Sequence, residues 1–172
     1  MEFLSHQSIA MHREYLDDLK LRLSVFEVSY PLIVGADYHR IDKARIPRDD
    51  REKILGLKSE IEAHEIYFVS FLKSGASCEK NELISKQYGS EAKFLYELMR
   101  YASGKGGFLL IYFNRAGCIR AYAGENYLRA LRYFDVRLAV DLCEHAYFTD
   151  YGFDKEKYLS KALSSLNLSK LN

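Results

Sequence analysis

A glycine-rich break, Gly104-Lys105-Gly106-Gly107, divides this chain into a stretch of helical periodicity and a stretch of strand-like apolar runs. Before it, Ile9, His12, Leu16, Leu19, Leu23 and Phe26 advance in steps of three and four, the mark of one helical face. Ser5 or Ser8 can cap its start. Residues 27–48 hold both prolines, Pro31 and Pro47, with Gly35, and read as a connector. Asp49 and Asp50 offer caps for a second helix with the stripe Leu57, Ile61, His64, Phe68 and Phe71, ending near Ser74-Gly75. Two long helices joined in this way should pack as an antiparallel hairpin. A third helix fits about 80–102.

After the break, residues 108–113 read as a buried strand and 118–123 as its partner, with Asn114-Arg115-Ala116-Gly117 as the hairpin turn. Residues 131–140 complete a three-stranded antiparallel sheet, and about 154–168 form a closing helix. The glycines lack the Walker spacing, so a loop entering a strand is expected there, not a phosphate cradle. Helices first and a small flanked sheet afterwards make an α+β fold. The expected division is an N-terminal helical hairpin over 1–75 and a C-terminal α+β domain over 76–172.

Composition excludes several function classes. The formal charge of the 172 residues is +1 and no basic tail is present. There is therefore no electrostatic case for nucleic acid. No apolar run reaches membrane-spanning length. The first residues lack a charged segment followed by an apolar one, so a cleavable export signal is not expected. Cys78, Cys118 and Cys143 are odd in number and lack CxxC spacing, as reduced thiols would. A cytoplasmic protein is the expectation.

Chemistry concentrates in a few residues. Asp141 and His145 stand four apart, after an apolar stretch and before a helical one, and His12 and His64 lie on the apolar stripes of two helices. A histidine on such a stripe is ordinarily a hydrogen-bonded core residue. Two on neighbouring helices need partners, and one shared metal satisfies both. Three imidazoles and a carboxylate suit a first-row transition metal such as iron or manganese. His6 and His39 lie off the stripes and read as solvated.

At these residues the sequence resembles the iron/manganese superoxide dismutase family. Asp141 to Tyr151 follows the family pattern Asp-x-Trp-Glu-His-Ala-Tyr-x-x-Asp-Tyr, with Cys143 in place of the tryptophan, and Tyr158-Leu159 follows at the family distance. Ser5-His6-Gln7-Ser8-Ile9-Ala10-Met11-His12 is similar to Ser-x-x-Thr-Ile-x-x-His. Ala63-His64-Glu65-Ile66-Tyr67-Phe68 is similar to Asn-His-x-x-Tyr-Trp, and Tyr88-Gly89-Ser90 to Phe-Gly-Ser. These segments occur in the family's order over most of the chain, the connector excepted. The resemblance implies one iron or manganese ion per chain, held by His12, His64, Asp141 and His145. It implies an oxidoreductase that dismutates superoxide. It also implies a homodimer in which Glu144 reaches across a two-fold axis to the partner subunit's ligand histidine, so Glu144 and His145 are the expected interface.

The departures from the family lie around that quartet. The chain has no tryptophan, and Phe68, Phe108 and Cys143 occupy family tryptophan positions. The family's gateway histidine and tyrosine become Leu16 and Lys20. The glutamine of iron-type members matches Glu60, that of manganese-type members matches Tyr127, and a funnel arginine becomes Lys155. The expected catalytic participants are therefore Glu60, a carboxylate that would accept from coordinated water; Lys20, a charge that could attract anions; and Tyr15, one turn from His12. Tyr15 either stands in as a proton donor or simply packs. Ligand identity permits a redox cycle, but hydrogen bonds around bound solvent set its potential and proton supply, so turnover is expected to be slow. Two alternatives stay open: a metalloprotein of the same fold with other oxygen or peroxide chemistry, and a metal-free interaction protein.

Overall fold

The computed structural model describes residues 3–72 and 81–172. The expected end of the second helix near Ser74-Gly75, the division between 75 and 76, and Cys78 lie outside those residues.

The first stripe forms α1, His6–Ser29, and Ser5 caps it by accepting from the Ser8 backbone N–H at 3.1 Å. The second forms α3, Arg48–Ser70. Its start differs from expectation: Asp49 and Asp50 lie inside the first turn, where acidic groups favour the positive end of the helix, and neither is the cap. Asp50 instead accepts from the Tyr30 hydroxyl at 2.6 Å. Tyr15 bonds to Glu60 near the middle of both helices, so the pairing runs backwards along α3 as it runs forwards along α1, and the two helices are antiparallel. Leu16, Leu19, Leu57 and Ile61 fill the seam between them. The connector is not featureless, since it holds a 3-10 turn at Pro31–Ile33 and a short helix α2, Tyr38–Lys43.

The single third helix expected over 80–102 is two helices, α4 (Glu82–Tyr88) and α5 (Glu91–Ala102). Gly89 separates them at φ +87°, a conformation in which a side chain is strained. Ser90 then caps α5 through the Lys93 N–H.

Strands β1 (Phe108–Phe113), β2 (Ile119–Gly124) and β3 (Asp135–Asp141) form an antiparallel sheet in the order β2-β1-β3. The third strand starts later than the expected 131, because Leu128–Tyr133 coil into α6. That turn buries Ala130 and Leu131 and leaves Arg129 and Tyr133 outward, a pattern too short to distinguish by periodicity alone. Opposite β1 the pairing shifts from Ile111–Leu138 to Tyr112–Val136, which leaves Arg137 as an extra residue and bends the strand end. Helices α7 (Glu144–Tyr151) and α8 (Lys155–Ser164) follow, then a 3-10 turn at Leu168–Leu171. The closing helix is therefore shorter than 154–168.

Two joints decide where the site lies. Ser70, the last residue of α3, accepts from the Ala139 N–H at 2.8 Å, fixing the helix to the middle of β3. At the head of β1, Gly107 has φ +72° and its carbonyl accepts from Leu142 N–H at 2.8 Å. A Cβ there would come within 2.3 Å of the Gly124 carbonyl oxygen. Only glycine lets β2 close over β1 at this point, and the same joint holds the chain just after Asp141. One apolar core runs from Ile54, Ala63 and Tyr67 of α3 through Phe108–Ile111 to Tyr158 and Leu159 of α8.

Candidate metal centre

Four side chains from four elements meet where α1, α3 and the end of β3 converge. His12 comes from α1, His64 from α3, Asp141 from the last position of β3 and His145 from the first turn of α7. One ligand atom from each lies within 4.8 Å of all the others. The Nε2 atoms of His12, His64 and His145 stand 3.1, 3.4 and 2.8 Å from Asp141 Oδ2. His12, His64 and Asp141 are buried, whereas the His145 side chain keeps 32% of its surface.

Each donor is aimed by a second contact. Asp141 Oδ1 accepts from the Cys143 N–H at 2.8 Å, which leaves Oδ2 to face the imidazoles. The Asp141 main-chain carbonyl accepts from the buried Tyr158 hydroxyl at 2.8 Å. His64 Nδ1 lies 2.7 Å from the Glu60 carbonyl oxygen, which can only accept, so the proton sits on Nδ1 and the Nε2 lone pair points inward. The rings of Tyr67 and Phe68 pack on His12 at 4.8 and 5.2 Å, and Phe108 packs on His64 at 5.0 Å.

The donor set fits a metal ion better than it fits itself. His12 Nε2 and Asp141 Oδ2 are fully buried and 3.1 Å apart, yet neither makes a hydrogen bond. His64 Nε2 and His145 Nε2 are 3.4 Å apart, and His64 has no second proton to offer while neutral. Metal bonds of about 2.0–2.2 Å at right or trigonal angles place donors roughly 3–4 Å apart, the spacing found here. A cation at the centre would satisfy His12 Nε2 and Asp141 Oδ2 together, leaving His12 Nδ1 and the Tyr67 hydroxyl as the other buried polar atoms without a hydrogen bond among the described residues.

The charges follow the geometry. Burial pushes the Asp141 carboxyl up, but the three imidazoles outweigh it and hold the group well below the usual carboxylate range. Burial lowers His12, with Asp141 opposing. His145 is raised: burial is the largest single effect and acts downward, but Asp141 and Glu60 together exceed it. Burial drives the Cys143 thiol up to about 12, so near neutral pH it is a thiol and not a thiolate.

Residues 76–172 match the family "Iron/manganese superoxide dismutases, C-terminal domain", more than half of the chain. The chain belongs to the iron/manganese superoxide dismutase family. No curated protein matches it. The matched segment contains Asp141 and His145 and begins after His12 and His64, which the fold of this superoxide dismutase relative brings to the same point. Its α+β architecture is the one expected from the order of its elements.

The other expected participants are placed unequally. Tyr15 lies on the site: its ring stacks on His145 at 4.4 Å and 30°, and its hydroxyl donates to Glu60 Oε1 at 2.6 Å. Burial, then the bond to Glu60, raises the phenol well above its ordinary value. Lys20 is not brought to the quartet by any contact; it pairs with Glu65 at 2.7 Å on the outer surface. Leu16 is taken into the hairpin seam. Lys155 donates to the Lys105 and Leu142 carbonyls, tying down the loop after Asp141. Glu144 is exposed at the start of α7. Sequence reasoning missed Tyr67 as a wall of the site. Its step of three from His64 was the available signal, since it turns Tyr67 toward the same face of α3.

Proposed function

We propose that this chain holds one iron or manganese ion through His12, His64, Asp141 and His145 and dismutates superoxide, at a rate well below that of ordinary family members. The observation that carries the reading is the pair of buried, hydrogen-bond-free atoms, His12 Nε2 and Asp141 Oδ2, facing each other at 3.1 Å. When bound, such an ion supplies a one-electron couple between +3 and +2, through which superoxide is oxidised to dioxygen and reduced to hydrogen peroxide. The chain's own part is to aim the four donors and to provide protons. Asp141 contributes the one negative charge of the quartet. Tyr158, the Cys143 N–H and the Glu60 carbonyl hold the inner donors in place.

Proton supply is the weak part. Peroxide formation consumes two protons, and the Tyr15 phenol, whose ring stacks on His145, is raised by burial and by its carboxylate partner. It therefore gives up its proton reluctantly. Lys20 is engaged by Glu65 and Leu16 offers no proton, so neither supplies the deficit. A cytoplasmic homodimer joined through Glu144 and His145 completes the proposal. Support for it lies on α7 and the link that follows, where His145 remains part exposed and Phe148 and Phe153 are exposed to 48% and 92%. Among the described residues no helix is long and apolar enough to cross a membrane.

Metal analysis of protein purified without added metal, together with a superoxide assay, tests the reading. About one iron or manganese per chain, lost in His64→Ala, is expected. Metal-free protein that stays so when iron or manganese is supplied would defeat it. Full metal loading with no superoxide turnover would favour the same fold used for other oxygen or peroxide chemistry.

A further inference from the structure

Of the four donors, His145 is the least confined. The other three are buried and held by groups of their own elements or neighbours, whereas His145 sits in the first turn of the short helix α7 with a third of its side chain exposed. The other quartet members face it, with Asp141 Oδ2 at 2.8 Å, His64 Nε2 at 3.4 Å and the His12 ring at 5.1 Å. From outside the quartet, the Tyr15 ring stacks on the imidazole at 4.4 Å and 30°. Tyr15 is itself anchored, because its hydroxyl donates to Glu60 Oε1 at 2.6 Å. The same residue, Glu60, uses its main-chain carbonyl to hold His64 Nδ1–H at 2.7 Å. Glu60 thus grips two donors at once, His64 through the backbone and His145 through the side chain and Tyr15.

We infer that Tyr15 and Glu60 form a clasp that positions His145 for metal, fixing the exposed donor from within the same chain. The inference rests on the assignment of the four residues as ligands. Both clasp members are positioning residues, since each acts through an imidazole. A stacked ring limits rotation of the imidazole plane, and the hydroxyl bond stops the tyrosine from swinging away with it. The side chain at 60 must therefore accept a hydrogen bond, and its charge is secondary. Truncating it leaves the His64 contact intact, because that contact uses the carbonyl.

The test uses cobalt(II) as the probe, with its dissociation constant from chelator competition and its visible spectrum as a report on ligand geometry. Wild type, Tyr15→Phe, Glu60→Ala, Glu60→Gln and the Tyr15→Phe/Glu60→Ala double variant are compared, with the melting temperature of each metal-free protein. Loss of an outer partner of a metal ligand ordinarily weakens binding about 10–100-fold. Tyr15→Phe and Glu60→Ala should each weaken cobalt binding by that order and alter the spectrum. The double variant should be no weaker than the worse single, since both break one bond. Glu60→Gln should bind within about threefold of wild type, because its amide oxygen still accepts from the phenol. Should one variant fail to fold, the other carries the comparison. Wild-type affinity and spectrum in Tyr15→Phe would overturn the clasp while leaving the ligand assignment standing. Additive losses in the double variant, or Glu60→Gln as weak as Glu60→Ala, would overturn it too. A wild-type protein that takes up no cobalt would instead reject the ligand assignment, and the clasp with it.

Discussion

The two sides of the candidate metal centre are built differently. On the inner side, His12, His64 and Asp141 are sealed in the core, with Asp141 at the end of a central pairing and His64 on a helix fixed to β3. On the outer side, His145, Glu144 and Lys20 meet solvent, and the contacts there are a stacked ring, a surface ion pair and two exposed phenylalanines. The inner side owes its geometry to folding itself, because the donors cannot move without opening the core. The outer side depends on individual contacts that can change with little cost to the fold. The departures Lys20 and Glu60 fall on or toward that adjustable side, while the four donors are all present.

The largest expected effect comes from the inner side. Asp141→Ala should abolish stoichiometric metal and also lower the stability of the metal-free protein. Three buried or part-buried imidazoles would lose the carboxylate they face, and breaking a buried charge pair typically costs about 3–5 kcal/mol. The sign with pH is definite. The Asp141 carboxyl is depressed in the folded state, so its contribution is fully present above its unfolded value of about 3.9. That contribution is lost as pH falls through the lower folded value. Acid titration of stability should show this limb in the wild type and lose it in Asp141→Ala. His145→Ala should by contrast lose metal with little change in melting. Equal losses of stability in the two variants would erase the distinction between the sides.

Next in size is Gly107→Ala. The added Cβ meets the Gly124 carbonyl oxygen at 2.3 Å on a backbone of φ +72°. Backbone must shift, so a loss of about 2–4 kcal/mol is expected by denaturant titration. Because Leu142 bonds to Gly107, metal affinity should fall with it. A variant as stable as wild type would show that the joint is not what holds the inner side.

How much of this could be read from the residues alone follows the same division. The helical hairpin, the sheet and the meeting of His12, His64 and Asp141 were legible because each of these three sits on an apolar stripe or at the end of an apolar run, where burial and periodicity coincide; His145 was reached only by its spacing from Asp141 and by resemblance. The split at Gly89 was not, since a glycine inside a helical pattern is tolerated until its φ turns positive. Nor was α6, whose six residues are too few to separate a helix from a strand. The bond from Tyr15 to Glu60 depends on how α1 and α3 are rotated against each other, which no single stripe encodes. Lys20 was expected near the quartet by matching position. Its long side chain instead finds Glu65, the neighbour of His64 on α3 that points to solvent.

Glu60→Gln sharpens the comparison at moderate size. The side chain contributes a charge beside the quartet as well as an acceptor for Tyr15. A carboxylate there favours the more oxidised ion, so a neutral amide should make the reduced state more accessible. With matched metal loading, superoxide turnover is expected to rise several-fold. A fully loaded Glu60→Gln protein with lower turnover would reverse the role given to that charge. Wild-type turnover near the diffusional ceiling of about 10⁸–10⁹ M⁻¹s⁻¹ would remove the premise of a slow enzyme altogether.

The smallest effect is expected at Lys20. Its ion pair with Glu65 joins side chains exposed by 46% and 53%, and such pairs contribute about 0–1 kcal/mol. Lys20→Ala should leave melting nearly unchanged and metal content intact. A steering role would lower the rate only at low salt, because charges more than about 8 Å from the approaching anion are screened at physiological ionic strength. Glu65 also cancels most of the lysine's field at a distance. The expected loss in kcat/KM is therefore less than about twofold at low salt, vanishing as salt is added. Measuring the rate across ionic strengths for wild type, Lys20→Ala and Glu65→Gln separates the cases. A tenfold, salt-insensitive loss in Lys20→Ala would mean that the lysine leaves Glu65 and works at the site, and the outer surface would then belong to the chemistry as fully as the buried donors do.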